Sequence, residues 1–381
     1  MRFDKDTKEI SEKIYAHWMM TVPGVPRNKK IEIWKAAQTA QQAYEFGDKR
    51  MAYFLDEKGM ECWKRHKEQN PYALWEKLEK QQIQFTFYGA KDFPKRLLRI
   101  TDAPFGLYYR GRLPQEDKPT VAIIGSRKNS EYGRCMAEHF ASALAKKKVT
   151  VISGMAMGID GIGQRAALKE GGDSYGVLGS GVDVVYPVSN TALYYQLIEK
   201  GGVISESLPG TAPHAGLFPQ RNRIISGLSD VVLVVEAREK SGTFITVDMA
   251  LEQGREVYVI PGRCTDSLSV GCNRLLRQGA GVAISPEDIL KDMGWIAEKK
   301  EKEENTHQIT TKLTTSVSDI ATEIIEVLDL VPCTQEDVVS ALRVHGCNSS
   351  VPQIMQGLLE LEMRGMIQRT AGQYRLNSTK L

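Results

Sequence analysis

A chain of 381 residues, 42% hydrophobic and 25% charged, has the make-up of a soluble globular protein of two or three domains. No apolar run approaches the ~18 residues of a membrane-spanning helix, and residues 1–10 are too charged for a secretory signal, so a cytoplasmic protein without membrane contact is expected. Six cysteines without a C-x-x-C pair argue against a disulfide framework or a metal site, and the net charge of +3 is unevenly spread: 23 Lys/Arg against 17 Asp/Glu in residues 1–118, 17 against 17 in 119–290, and 10 against 13 in 291–381.

Residues 1–85 read as a helical N-terminal domain, with apolar residues at helical spacing over 10–20, 30–46, 51–67 and 72–81. The turn at 21–27 reads either as a helix-hairpin-helix that offers backbone N–H groups to a phosphate or as a plain helix connection with solvated Lys29 and Lys30. Prolines and aromatics between 87 and 111 suggest an ordered lead-in packed against the central sheet.

Residues 86–293 form the central domain. Short β-branched runs at 121–124, 149–152 and 231–235 end in glycine, serine or charge, and helical patterns at 132–147, 162–169, 191–200 and 244–253 alternate with them. Continuous apolar runs of that length are strands buried on both faces, and their alternation with helices predicts a doubly wound, mostly parallel, Rossmann-like α/β sheet. Its ligand belongs beyond the carboxyl ends of the strands, where the strand order reverses. Residues 294–315 are polar and charge-mixed, a linker. Residues 316–381 then predict three short helices and a hairpin around Ala371-Gly372, a C-terminal winged helix. Its third helix carries Gln353, Gln356, Glu360 and Glu362 against Arg364, which favours a protein contact over DNA reading.

No G-x-x-x-x-G-K-[ST] occurs, and the first strand ends in Gly125-Ser126-Arg127 rather than G-x-G-x-x-G, which argues against a nucleoside triphosphatase or an ordinary NAD enzyme and predicts no cofactor. What remains is a set of anion-suited loops. Gly125 permits close backbone approach, Ser126 offers a hydroxyl and Arg127 a planar fork of donors. Arg221, Asn222 and Arg223 read as a second loop; Ser241, Gly242 and Thr243 open a helix with Lys240 beside them; Gly154, Gly158 and Gly181 add to a rim of small residues. Each loop alone reads as helix capping, whereas several on one edge make a shared polyanion site. Asp160, Glu206 and Glu236 near that edge either support hydrolysis or orient the arginines through salt bridges. The six histidines do not cluster, no Ser/His/Asp or Cys/His arrangement stands out, and no catalytic residue is assigned.

At these residues the sequence resembles the bacterial DNA-processing protein A family (DprA, also called Smf). The resemblance rests on Gly125-Ser126-Arg127, Ser153-Gly154-Met155-Ala156 with Gly158-Ile159-Asp160, Gly179-x-Gly181 with Tyr186-Pro187, and Ser205-Glu206. It continues through Phe218-Pro219-x-Arg221-Asn222-Arg223, Val235-Glu236-Ala237, Ser241-Gly242-Thr243, Pro261-Gly262 and Ser269-x-Gly271-x-Asn273. The resemblance implies a homodimer that binds single-stranded DNA and loads the RecA recombinase during natural transformation, with Arg127 and the Arg221/Arg223 segment as phosphate contacts. Gly163-Gln164 stands where that family commonly has Ala-His, which leaves any role of the histidine in doubt. Phe218, Tyr186 and Phe244 offer either stacking faces or core packing. A second reading is a nucleoside-monophosphate phosphoribohydrolase, whose G-G-x-G-T-x-x-E loop supplies a glutamate; here Thr246 holds that place and the carboxylate is missing.

Overall fold

The structure, a computed structural model, describes residues 2–296, 318–328, 332–370 and 372–376. Two compact units divide the chain, Met1–Asn129 with Phe140–Ile289, and Ser130–His139 with Leu290–Leu381. Most of the expected linker lies outside the described residues.

The first unit opens with six helices: α1 (Arg2–Thr21), α2 (Arg27–Ala37), α3 (Ala40–Glu45), α4 (Asp48–Met51), α5 (Glu57–His66) and α6 (Pro71–Lys80). Aromatic side chains set at helical spacing give them a common core. Trp18 lies edge-on to Trp63 with ring centroids 5.0 Å apart, and both are buried. Lys30 is not solvated: its Nζ donates to the carbonyls of Met20 (2.7 Å) and Val22 (3.1 Å), groups that the end of α1 would otherwise leave without partners.

The expected lead-in is part of the sheet. β1 (Gln84–Phe87) and β2 (Gly106–Gly111), separated by the short α7 (Lys95–Leu98), pair antiparallel with each other. A domain boundary at residues 85/86 would fall inside β1. The aromatic run gives the reason: Phe85 and Tyr108, paired in register, turn their rings into the helical core, while Leu107 faces the core of the sheet.

The remaining strands are β3 (Thr120–Ile124), β4 (Thr150–Ser153), β5 (Ser174–Val177), β6 (Gly202–Ser205), β7 (Val231–Val234), β8 (Glu256–Val259) and β9 (Gly281–Val282). Together with the lead-in they form one nine-stranded sheet in the order β1-β2-β6-β5-β4-β3-β7-β8-β9. β2 meets β6 antiparallel, and from β6 to β9 every neighbour is parallel. The crossovers are α8 (Glu131–Lys146), α9 (Ile159–Lys169), α10 (Thr191–Lys200), α11 (Leu217–Leu228), α12 (Thr243–Glu252) and α13 (Val270–Arg277), with α14 (Pro286–Asp292) after β9. This is the doubly wound, Rossmann-like sheet predicted above. β4, β5 and β6 are laid down on one side of β3, while β7, β8 and β9 are laid down on the other, so the order reverses between β3 and β7.

The second unit contains α15 (Asp319–Val327), β10 (Cys333–Thr334), α16 (Gln335–Val344), α17 (Val351–Met363), β11 (Ile367–Thr370) and β12 (Gln373–Leu376). Ile324, Val338, Leu342, Ile354, Leu358 and Ile367 share its core, and β12 lies between β10 and β11. Capping boxes at Thr334 and Ser350 start α16 and α17.

Candidate functional site

Where the strand order reverses, a cleft of about 700 Å³ opens beyond the carboxyl ends of β3 and β7. Gly125, Ser126 and Arg127 line it from the end of β3; Arg238, Lys240, Ser241, Gly242 and Thr243 from the segment after β7; Phe218, Arg221 and Asn222 from α11; Tyr186 and His214 from the connecting loops. Segments more than one hundred residues apart thus meet at one place because parallel strands end side by side.

Arg127, Arg238 and Lys240 are exposed, and no carboxylate among the described residues forms a salt bridge with them. The Arg127 guanidinium lies 5.3 Å from the centre of the Phe218 ring, which stacks at 5.7 Å on the exposed Tyr186. The Tyr186–Pro187 peptide is cis. Ser126 Oγ donates to the Lys128 carbonyl (2.9 Å) and accepts from the Lys128 N–H (3.2 Å), which fixes the turn that carries Arg127. Ser241 Oγ accepts from the Thr243 N–H at 3.2 Å and donates to Thr243 Oγ1 at 2.9 Å, which fixes the turn leading into α12.

The segment 221–223 is helix rather than loop. Pro219 sits in the first turn of α11, where its missing N–H costs nothing, and Ile224, Ile225 and Leu228 supply the buried face. Arg221 is buried beneath the cleft; Nη1 donates to the carbonyls of Gly154 (2.8 Å) and Val177, and Nε to Asn222 Oδ1 (3.2 Å). A side chain at Gly154 would stand 2.5 Å from Arg221 Nη2, so this glycine makes room for the guanidinium. Asp160 is the neighbouring charge. Burial pushes its carboxyl up, against the pull of Arg221 and the Gly154 N–H, while burial takes the Arg221 guanidinium down to about 10, still protonated at neutral pH.

Two expected contacts lie elsewhere. Arg223 is buried on another side of α11, ion-paired to Glu206 and, at 3.2 Å, to Asp102. Arg27 of α2 reaches the same Asp102, so the pair belongs to a network that joins the N-terminal helices to the sheet. Gly181 does not line the cleft; its N–H donates to the Thr211 carbonyl at 3.0 Å, and its close neighbours are Asp183, Leu208 and Gly210. Gly158 lies beneath the cleft wall: with φ at +75° and Ser126 O only 2.3 Å from where a Cβ would be, it is the residue that lets α9 start against the Arg127 turn. Gln164 is wholly buried and does not line the cleft; its amide bonds the Met155 N–H and the Tyr175 carbonyl. Among residues the sequence reading passed over, Arg238 had a signal, a basic residue just beyond the end of a buried strand. Asp160 and Glu206 keep company with arginines, and among the described residues no group of three or more His, Cys, Asp or Glu is placed to hold a metal ion.

The profile of a family described as DNA recombination-mediator protein A matches residues 84–294. Protein Smf of Escherichia coli (strain K12) is 37% identical over 289 residues, covering 74% of this chain and 74% of its own length. DNA processing protein DprA of Streptococcus pneumoniae is 40% identical over 217 residues, 56% of this chain and 77% of that protein. The X-ray structure of the Streptococcus pneumoniae protein matches with a TM-score of 0.66 at 31% identity, over 73% of this chain and 97% of that one. A structure of DNA processing protein A from Helicobacter pylori, described for its unique single-stranded DNA binding mode, gives 0.51 at 29% identity, over 56% and 95%. With the matched stretch running from β1 to the end of the sheet, and with the cleft at its centre, the chain belongs to the DNA recombination-mediator protein A family.

Proposed function

We propose that the cleft binds single-stranded DNA by its phosphates and that the protein acts as a binding mediator rather than an enzyme. One observation carries this: three exposed cations, Arg127, Arg238 and Lys240, in no salt bridge among the described residues, stand around a buried arginine at a strand-order reversal, in a domain whose net charge gives no general attraction. Cations that no carboxylate neutralises are available to phosphates, and a flexible strand presents phosphates at every nucleotide. The exposed Tyr186 and its partner Phe218 add aromatic faces that accept any base. Thr246 lines the cleft where a phosphoribohydrolase would need its glutamate, which supports binding over base release.

Recognition through phosphates makes affinity fall steeply with salt and depend little on sequence. The test is fluorescence anisotropy with labelled oligothymidylate. Arg127→Ala is expected to weaken binding ~10-fold or more and to lower the slope of log Kd against log salt by about one. Unchanged affinity at moderate salt would overturn the reading. The finer steps, protection of incoming strands, transfer to a RecA-class recombinase and action as a homodimer in the cytoplasm, form part of the same proposal. Recombinase ATPase on DNA already coated by this protein, with light scattering for subunit number, tests them.

A further inference from the structure

Behind the cleft, the segment from Gly154 to Gly158 carries an unusual backbone: Met155 has φ of +53°, a left-handed conformation that a side chain makes costly, and it is fully buried. Two buried amides hold it there. Gln164, on α9, accepts the Met155 N–H at Oε1 (3.1 Å) and donates from Nε2 to the Tyr175 carbonyl (3.0 Å). Asn190, just before α10, donates from Nδ2 to the carbonyls of Met155 and Ala156 (both 3.0 Å) and accepts from Arg165 at Oδ1 (3.1 Å). Both polar groups of the strained residue are therefore gripped, from two different elements.

What the grip positions is the arginine pair. The Gly154 carbonyl next to Met155 receives Arg221 Nη1, the Gly154 N–H meets Asp160, and at the other end of the segment the Ile159 N–H donates to the Ser126 carbonyl (3.2 Å), behind the turn that carries Arg127. We propose that Gln164 and Asn190 are positioning residues for phosphate binding: neither touches the strand, and together they hold Met155 left-handed so that Arg221 and Arg127 are presented to one polynucleotide. This rests on the cleft being the DNA site.

A neutral imidazole carries one acceptor and one donor nitrogen, as the primary amide does, so Gln164→His retains both functions, whereas Gln164→Leu, of similar volume, retains neither. Oligothymidylate binding is to be measured against salt for Gln164→Leu, Gln164→His, Asn190→Ser and Arg127→Ala, with thermal unfolding alongside. Gln164→Leu and Asn190→Ser are expected to weaken binding ~10-fold with a salt slope reduced by about one, and Gln164→His to restore both. Wild-type affinity and slope in folded Gln164→Leu and Asn190→Ser overturn the proposal, as does loss of stability without loss of slope. If Gln164→Leu does not fold, Asn190→Ser and the histidine variant decide. Should Arg127→Ala also bind normally, the failure lies with the cleft rather than with its positioning.

Discussion

Arg221 and Arg223 leave α11 two residues apart, roughly 200° around the helix axis, and that rotation gives them different surroundings. Arg221 donates to two backbone carbonyls under an open cleft and feels the charge of the buried Asp160; Arg223 pairs with Glu206 and Asp102 where the N-terminal helices join the sheet. Burial outweighs attraction for the first pair, since it raises Asp160 and lowers Arg221 despite their opposite charges. In the second network burial alone would raise Asp102, but the hydrogen bond from Arg27 and the charge of Arg223 hold its carboxyl below the ordinary range. Arg221 is thus held under the cleft by backbone carbonyls, while Arg223 is held by carboxylates at the join between two parts of one unit.

The comparison breaks most visibly at Arg221. Arg221→Ala leaves Asp160 as a buried charge without its cation, and should lower unfolding free energy by about 3 kcal/mol and abolish tight oligothymidylate binding together. Denaturant titration and anisotropy on the same sample check both. Arg223→Ala should separate the two effects: a loss of about 2 kcal/mol in stability, with Kd for DNA within about twofold of wild type. A DNA defect as large as that of Arg221→Ala would place both arginines in one site after all.

The smallest effect concerns Lys30, which stands beside Glu206 in the joining network. Burial takes its ammonium down to about 8, against the pull of Glu206. Between pH 8 and the usual lysine range near 10.4 the unfolded chain keeps a proton that the folded chain has released, so the folded state gains stability as pH rises through that window. The difference in unfolding free energy between wild type and Lys30→Met should therefore grow from pH 8 to 10, by an amount on the order of 1–2 kcal/mol. A flat difference would show that Lys30 titrates normally and that the network is wetter than its burial indicates.

Much of this architecture is legible along the chain because buried parallel strands announce themselves as continuous β-branched runs, and because a glycine-bounded strand followed by a helix has few other readings. The Gly125-Ser126-Arg127 turn and the 240–243 segment follow from that, since both sit at strand ends by construction. α11 is hard to read as a helix because its first half, Phe-Pro-Gln-Arg-Asn-Arg, is polar and proline-bearing; the apolar spacing of Ile224, Ile225 and Leu228 is the signal that marks it. The two lead-in strands escape a sequence reading because they are buried on both faces, Tyr108 against the N-terminal helices and Leu107 in the sheet, so no alternation of apolar and polar residues marks them.

The sequence by itself determined the parallel sheet, its crossover helices and the residue types at the strand ends, because local periodicity and chain entropy act over a few residues at a time. Only the tertiary structure decided which of those residues share a cleft. The fates of Arg221 and Arg223 and the two amides around Met155 depend on helix rotation and on partners far away in the chain, and such distances leave no trace in spacing.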